Sequence, residues 1–207
     1  MTNTNVGPLR LAVGSHKAGS GRGCAMNVIS WENGDSRISD MPDCTHPFLA
    51  RVVQRLNDSI CAHRDGDLLC ADCSVIVLGL AHRTVGTADA DPDGRVMVRI
   101  AAEEAQRVAH LNSDPRVQAA IDAALAWADT PTAAAAYAAN AAAGRVVAYA
   151  ATRATHAAAY AAYAAAGRVE QTERIIDRFR ALTGHDTTAP DPTVTAQAIT
   201  RMLQVTA

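Results

Sequence analysis

No stretch of this chain stays apolar for long. The most apolar run, "SVIVLGLA" at 74 to 81, is far shorter than the roughly eighteen residues a membrane-spanning helix needs, and Asp72 and His82 flank it. The opening "MTNTNVGPLR" has neither a basic segment nor a following apolar stretch, so it does not read as a secretory leader. Charge of one sign is not in excess either. With 19 basic against 21 acidic side chains, nothing suggests a surface built to neutralise nucleic-acid phosphates. Cysteine is missing after residue 73, and the five present, at 24, 44, 61, 70 and 73, are an odd number. Together these absences predict a cytoplasmic protein with no membrane partner, no strong nucleic-acid signal and reduced thiols. A chain of 207 residues can bury one good core, as one large domain or two small ones.

What is present is helical spacing. Phe48, Leu49, Val52, Val53, Leu56 and Ile60 recur at three and four residues, leaving Arg51, Gln54, Arg55 and Asp58 to face water. A short helix is expected over 24 to 33, ending near Gly34, and helical character over 48 to 61 and 68 to 80. Between them "DMPDCTHP" turns or extends, with Thr45 as a candidate cap. The Asp-Pro-Asp-Gly core of "TADADPDGR" (87 to 95) marks a connector. Beyond it lie helices over 96 to 111 and over 113 to 129, the latter with Asp114 or Ser113 as cap, Pro115 in its first turn, and Val117, Ile121, Leu125 and Ala128 on one face. Strand character is confined to short pieces near 8 to 13 or 95 to 100.

Alanine then dominates residues 133 to 166, and "YAANAAAGRVVAY" at Tyr137 is echoed by "YAAYAAAGRVEQT" at Tyr160. Alanine is the best helix former but supplies little apolar bulk, so such helices must approach one another closely. A helical hairpin or one bent helix is expected, with the glycine of each Ala-Gly-Arg-Val ending a run. Two amphipathic helices, 169 to 184 and 191 to 205, close the chain. The fold class is all-α: a bundle of about seven to nine helices, organised as a region 1–90 with a glycine-rich loop and an alanine-rich region 91–207, packed as one domain.

The loop ahead of the first helix, "GSHKAGSGRGC", is the main candidate site. Its glycines have the spacing of a phosphate loop, but no lysine follows the second glycine and Lys17 comes too early, so no nucleotide-triphosphate loop and no cofactor are expected. The glycines serve at least to turn the chain into a helix. A functional role would be an anion pocket made from His16, Lys17, Gly19, Ser20, Gly21, Arg22, Gly23 and Cys24, with backbone amides at the helix start. The alternative is catalytic: Cys24 in a first helical turn, with His16 or His46 as its base. Cys61, His63, Cys70 and Cys73 offer four zinc-type donors, but a closed site wants knuckle turns with glycine near the ligands. With both flanks helical, thiols packed in a core and no metal are expected.

The segments "GSGRGCAMNVISWENGD" and "SDMPDCTHPFLARVVQRLND", followed by Val85-Gly86-Thr87 and an alanine-rich second half, resemble a family of actinobacteriophage and bacterial proteins. Gly19, Ser20, Gly21, Cys24, Met26, Asp40, Pro42, Cys44, Pro47, Asn57 and Asp58 carry the resemblance, which spans about the first 90 residues. It implies a phage or phage-host source and no mechanism. Two departures matter: Asn27 stands where the family commonly has Glu, and Cys61, Cys70 and Cys73 lie outside the shared pattern. The expected function is that of a non-enzymatic phage-type accessory protein that captures an anionic small molecule, nucleotide or phosphate-like, or a host protein, through residues 14 to 24. The alanine-rich helices would join copies into a homo-oligomer. A cysteine-dependent hydrolase or transferase using Cys24 is the alternative.

Overall fold

The computed structural model describes residues 9–14, 16, 19–112, 114–147 and 167–185. Among them the chain forms α1 (Ala25–Glu32), α2 (Pro47–Ser59), α3 (Ala71–His82), α4 (Arg95–Val108), α5 (Pro115–Asp129), α6 (Ala133–Val147) and α7 (Arg168–Thr183), with a 3₁₀ turn at Ala109–Leu111. The protein is all-α, as the apolar spacing requires, and extended residues among those described meet only in isolated bridges. The expected strand near 8 to 13 amounts to one such bridge, Ala12 with Leu68, and residues 95 to 100 belong to α4. No helix among the described residues is long and apolar enough to cross a membrane.

The chain divides into two compact units: one runs to Ala90 and resumes at Thr172, and the other is Asp91–Gln171. The division falls at the turn-rich connector, but α7 from Thr172 onward returns to the first unit instead of staying with the alanine-rich region. The expected helix over 191 to 205 and the second alanine-rich copy up to residue 166 lie outside the described residues.

In the first unit, α2 buries Leu49, Ala50, Val53 and Leu56 while Arg51, Arg55 and Asp58 stay exposed. Met26, Val28 and Ile29 of α1, Val77, Leu80 and Ala81 of α3, and Ile175, Ile176 and Phe179 of α7 are buried as well. Three local expectations change, each for a stated reason. Thr45 does not cap α2: its hydroxyl lies 3.3 Å from that of Thr84 and its backbone bridges Val85, so His46, held extended by the following Pro47, takes the cap position and accepts the Phe48 N–H at Nδ1 (3.3 Å). The helix expected from 68 begins only at Ala71, because the amides of Leu68 and Leu69 are bonded to the Asp65 and Leu11 carbonyls. In the second unit, α6 runs through Gly144 to Val147; one glycine among alanines costs a helix only about 1 kcal/mol.

The second unit is capped largely as its sequence suggests. Asp91, buried, accepts the Val96 and Met97 amides at 3.0 and 2.8 Å, Asp114 accepts that of Arg116 at 2.9 Å, and Thr132 that of Ala135 at 3.1 Å. Arg95 closes the far end of α5 by donating to the Ala128 carbonyl at 3.0 Å. Ala102, Val117 and Ile121 form a small core with Ala105, Ala109, Ala124 and Leu125 packed on it, and the alanines let the backbones come close.

Two polar contacts organise the first unit. The Asn57 side chain, 1% exposed, donates from Nδ2 to the Ala12 carbonyl at 2.8 Å and accepts at Oδ1 from the Ala25 N–H at 3.3 Å. It thereby ties α2 to the extended N-terminal segment and to the first turn of α1. His82, also buried, has Nδ1 2.9 Å from the Leu78 carbonyl and Nε2 2.7 Å from a Glu32 carboxylate oxygen. A carbonyl and a carboxylate both accept, so this pair of partners favours the protonated imidazole. Burial works to lower the His82 pKa, but the hydrogen bond and charge of Glu32, with the Leu78 carbonyl, hold it above its ordinary value.

Asn57→Ala should destabilise the protein by about 3 kcal/mol, since it leaves the buried Ala12 carbonyl and Ala25 amide unpaired, and the midpoint of urea unfolding measures it. A loss below about 0.5 kcal/mol would show that the side chain organises nothing. For His82 the folded-state pKa is the raised one. The stability it contributes is complete below the unfolded value of about 6.5 and is lost as pH rises through the folded value. Urea-unfolding free energy should therefore fall as pH rises above about 6.5, and His82→Gln should flatten that decline.

Candidate functional site

The segment 9–14, α1, the loop after α1 and α2 enclose a cleft of about 270 Å³ lined by Gly14, Cys24, Asp40, Arg51, Gln54, Arg55 and Asp58. That volume lies at the small end of ligand cavities. Arg51 and Arg55 stand one helical turn apart on the exposed face of α2, and among the described residues neither guanidinium has a hydrogen-bond or ion-pair partner. Like charges four residues apart on a helix repel by a few tenths of a kcal/mol. Asp58, at the end of α2, accepts the Gly14 N–H at 2.8 Å and the Asn57 amide at 3.3 Å. Gly14 has φ +84°, which places its N–H where Asp58 can take it and which other residues rarely adopt.

Cys24 forms the wall of the cleft at 2% exposure. Burial pushes its thiol up to about 11, and the Asp40 and Asp58 charges push the same way against the Asn27 and Met26 amides. The sulfur is therefore a neutral thiol at neutral pH, the opposite of an activated nucleophile. The proposed bases are engaged elsewhere: His16 Nε2 lies 2.9 Å from the Val13 carbonyl, and His46 caps α2 with its ring 4.9 Å from that of Phe179.

The glycine loop is held by its own contacts. Ser20 donates to the Arg22 carbonyl at 3.1 Å, the Gly23 carbonyl accepts the Ala12 N–H at 2.9 Å, and Arg22 is paired with Asp67. Gly19 and Gly21 take positive φ, consistent with a turn into α1. Lys17 lies outside the described residues. The amides an anion would use at the start of α1 already have partners. Asn27 Oδ1 accepts from the Cys24 N–H at 3.0 Å while the Cys24 sulfur accepts from the Asn27 amide, and the Ala25 N–H goes to Asn57. This reciprocal arrangement is a capping box, in which the third helical residue is ordinarily Glu or Gln. Position 27 is thus a cap, filled here by Asn.

Of the four zinc-type donors, three meet. The sulfurs of Cys61, Cys70 and Cys73 lie within 4.8 Å of one another, and all five cysteines are free thiols. Burial and the two neighbouring sulfurs push Cys73 up to about 12; Cys61, although buried, is held below its ordinary value by the Cys70 amide, the Cys70 and Cys73 thiols and the His63 amide. His63 is exposed.

The cleft residues Arg51, Gln54, Arg55, Asp40 and Asp58 were legible only as a water-facing helix side and as turn or cap residues. The signal was there in the two arginines four apart on one exposed face of the helix. No family model matches the chain, and no match to it is found among curated proteins or solved structures.

Because Cys24 is buried and neutral, iodoacetamide at pH 7 should label it at least about a hundredfold more slowly than a free cysteine, as read by peptide mass spectrometry. Rapid labelling of Cys24 in the folded protein would restore the catalytic reading.

Proposed function

We propose that this chain is a non-enzymatic accessory protein, of the kind phages and their hosts carry, that binds a small phosphate-like anion in the cleft between Gly14, Cys24 and the exposed face of α2. The observation that supports this reading is the pair of guanidiniums, Arg51 and Arg55, without partners among the described residues at the mouth of a cleft. Two arginines one turn apart suit the planar, bidentate recognition of a phosphate or carboxylate. Asp40, Asp58 and Gln54 beside them favour a ligand whose remaining part carries hydroxyl or amino groups rather than a bare polyanion. The contact thus shifts from the loop at 14 to 24 to α2, with Gly14 and Cys24 kept as walls. Arg22, paired with Asp67, is left a structural role. A buried neutral thiol adds shape and no chemistry.

Capture of the ligand is the whole task in this reading. The alanine-rich helices mediate self-association, and α6 leaves Tyr137 78% exposed.

Thermal melting with phosphate, sulfate and a nucleotide tests the site. The parent should be stabilised by at least one of them, Arg51→Glu/Arg55→Glu should melt near the parent temperature but lose that stabilisation, and Arg22→Glu should retain it. Equal stabilisation of the parent and the double variant would remove the proposed role of α2. Sedimentation velocity on the same samples reads the self-association, and a monomer throughout would remove that part.

A further inference from the structure

The three thiols outside the cleft occupy a place that spacing alone concealed. Cys61 was expected at the end of one helix and Cys70 within another. In the fold, α2 ends at Ser59 and α3 begins at Ala71, so Cys61 follows one helix, Cys70 is the cap residue of the next, and Cys73 sits in its first turn. The eight residues between Cys61 and Cys70 form a tight turn. Asp65 and Leu68 exchange backbone hydrogen bonds at 3.0 and 3.1 Å, and Gly66 takes φ +62°. The feature whose apparent absence counted against a closed metal site, a turn with glycine near the ligands, is present.

We propose that Cys61, Cys70 and Cys73 bind a zinc ion, with His63 as the fourth ligand, and so clamp the end of α2 to the start of α3. Three sulfurs within 4.8 Å of one another are already close to the spacing of about 3.8 Å that tetrahedral geometry with zinc–sulfur bonds of about 2.3 Å demands. The Cys70 N–H points at the Cys61 sulfur at 3.3 Å, and the backbone amide of His63 is hydrogen-bonded to the same atom. Amide donors of this kind stabilise the anionic sulfur that a metal requires, and the start of α3 adds the positive end of its dipole. His63 is exposed, two residues past Cys61, and so is placed within one side chain's length of the cluster. Soft thiolates with one imidazole select zinc over hard cations. On binding, the thiols release their protons to solvent and the sulfur lone pairs form the bonds to zinc; no oxidant or reductant takes part.

The clamp would matter beyond its own turn. The Asp67 carbonyl accepts the Val13 N–H at 2.8 Å, and the Leu69 N–H is donated to the Leu11 carbonyl at 2.8 Å, so the same turn holds the N-terminal extended segment.

The test uses the full chain, purified under reducing conditions without chelator. Elemental analysis should find about one zinc per chain. After removal of zinc, titration with cobalt should give sulfur-to-cobalt charge-transfer absorption and the intense visible bands of tetrahedral coordination, saturating at one equivalent. Cys73→Ser should lose the charge-transfer intensity in proportion to the missing sulfur, Cys44→Ser should keep the parent spectrum, and His63→Ala should weaken cobalt binding and shift the visible bands. Circular dichroism on every sample separates loss of metal from loss of fold, and the parent titration decides the matter even if Cys73→Ser does not fold. Metal-free purified protein together with a cobalt titration lacking thiolate bands would overturn the site. An unchanged His63→Ala spectrum would overturn the assignment of His63.

Discussion

The first unit depends on one carboxamide. Asn57 is held at 1% exposure in a helix whose other buried side chains are mostly aliphatic, and a buried amide without partners would cost on the order of 1–3 kcal/mol per group. It is stable there because two pieces of chain distant in sequence bring it what it lacks. The Ala12 carbonyl takes its N–H, and the Ala25 N–H reaches its oxygen. Each partner is itself a backbone group with no helical bond to make. Ala12 lies in an extended segment, and Ala25 is the first residue of α1, one of the amides every helix start leaves open. Three otherwise unmet needs are thus satisfied at one point, and the positions of the N-terminal segment, α1 and α2 are fixed together.

The cleft follows from that junction. Asp58, next in sequence, points outward and takes the Gly14 N–H, while Cys24, just before Ala25, is turned inward with its sulfur in the wall. Arg55 and Arg51 lie one and two turns back along the same helix. Burial keeps the Cys24 thiol protonated, and the carboxylates that add to the effect sit beside cations without described partners, so the cleft combines charged groups at its mouth with an inert wall.

The other end of the unit is closed by hydroxyls and cations. Thr87 accepts the His46 N–H at 3.0 Å and donates to the Thr84 carbonyl at 2.6 Å, and the Cys44 carbonyl takes the Gly86 and Thr87 amides. Arg180 of α7, 6% exposed, donates to the Arg83 carbonyl at 2.7 Å, placing a positive charge at the end of α3 where the helix dipole favours it. Arg83 in turn pairs with Asp177, so α7 and the end of α3 are linked in both directions. The Phe179 ring lies against His46 and Phe48 at the start of α2, the end away from Asn57.

What the sequence determined by itself is the set of helices and most of their ends. The spacing of Leu49, Val53 and Leu56, the Pro-Asp-Gly turn before Arg95, and Asp114 ahead of Pro115 act through neighbours within a few residues, and each works in the fold as its local chemistry requires. What only the tertiary structure decided is whatever depends on a partner far along the chain. Thr45 was a good cap by type but was claimed by Thr84, 39 residues on. Leu68 and Leu69 looked helical, but a local turn and Leu11 took their amides, and that displacement carried Cys61 and Cys70 out of helices and toward Cys73. Arg22 was a free cation on paper until Asp67 met it, whereas Arg51 and Arg55, apparently plain surface residues, were left facing a cleft. Periodicity says which face of a helix is apolar, because that depends on the helix alone. It cannot say which polar groups the rest of the chain will satisfy, because hydrogen bonds and ion pairs act over a few ångströms and the fold chooses their partners.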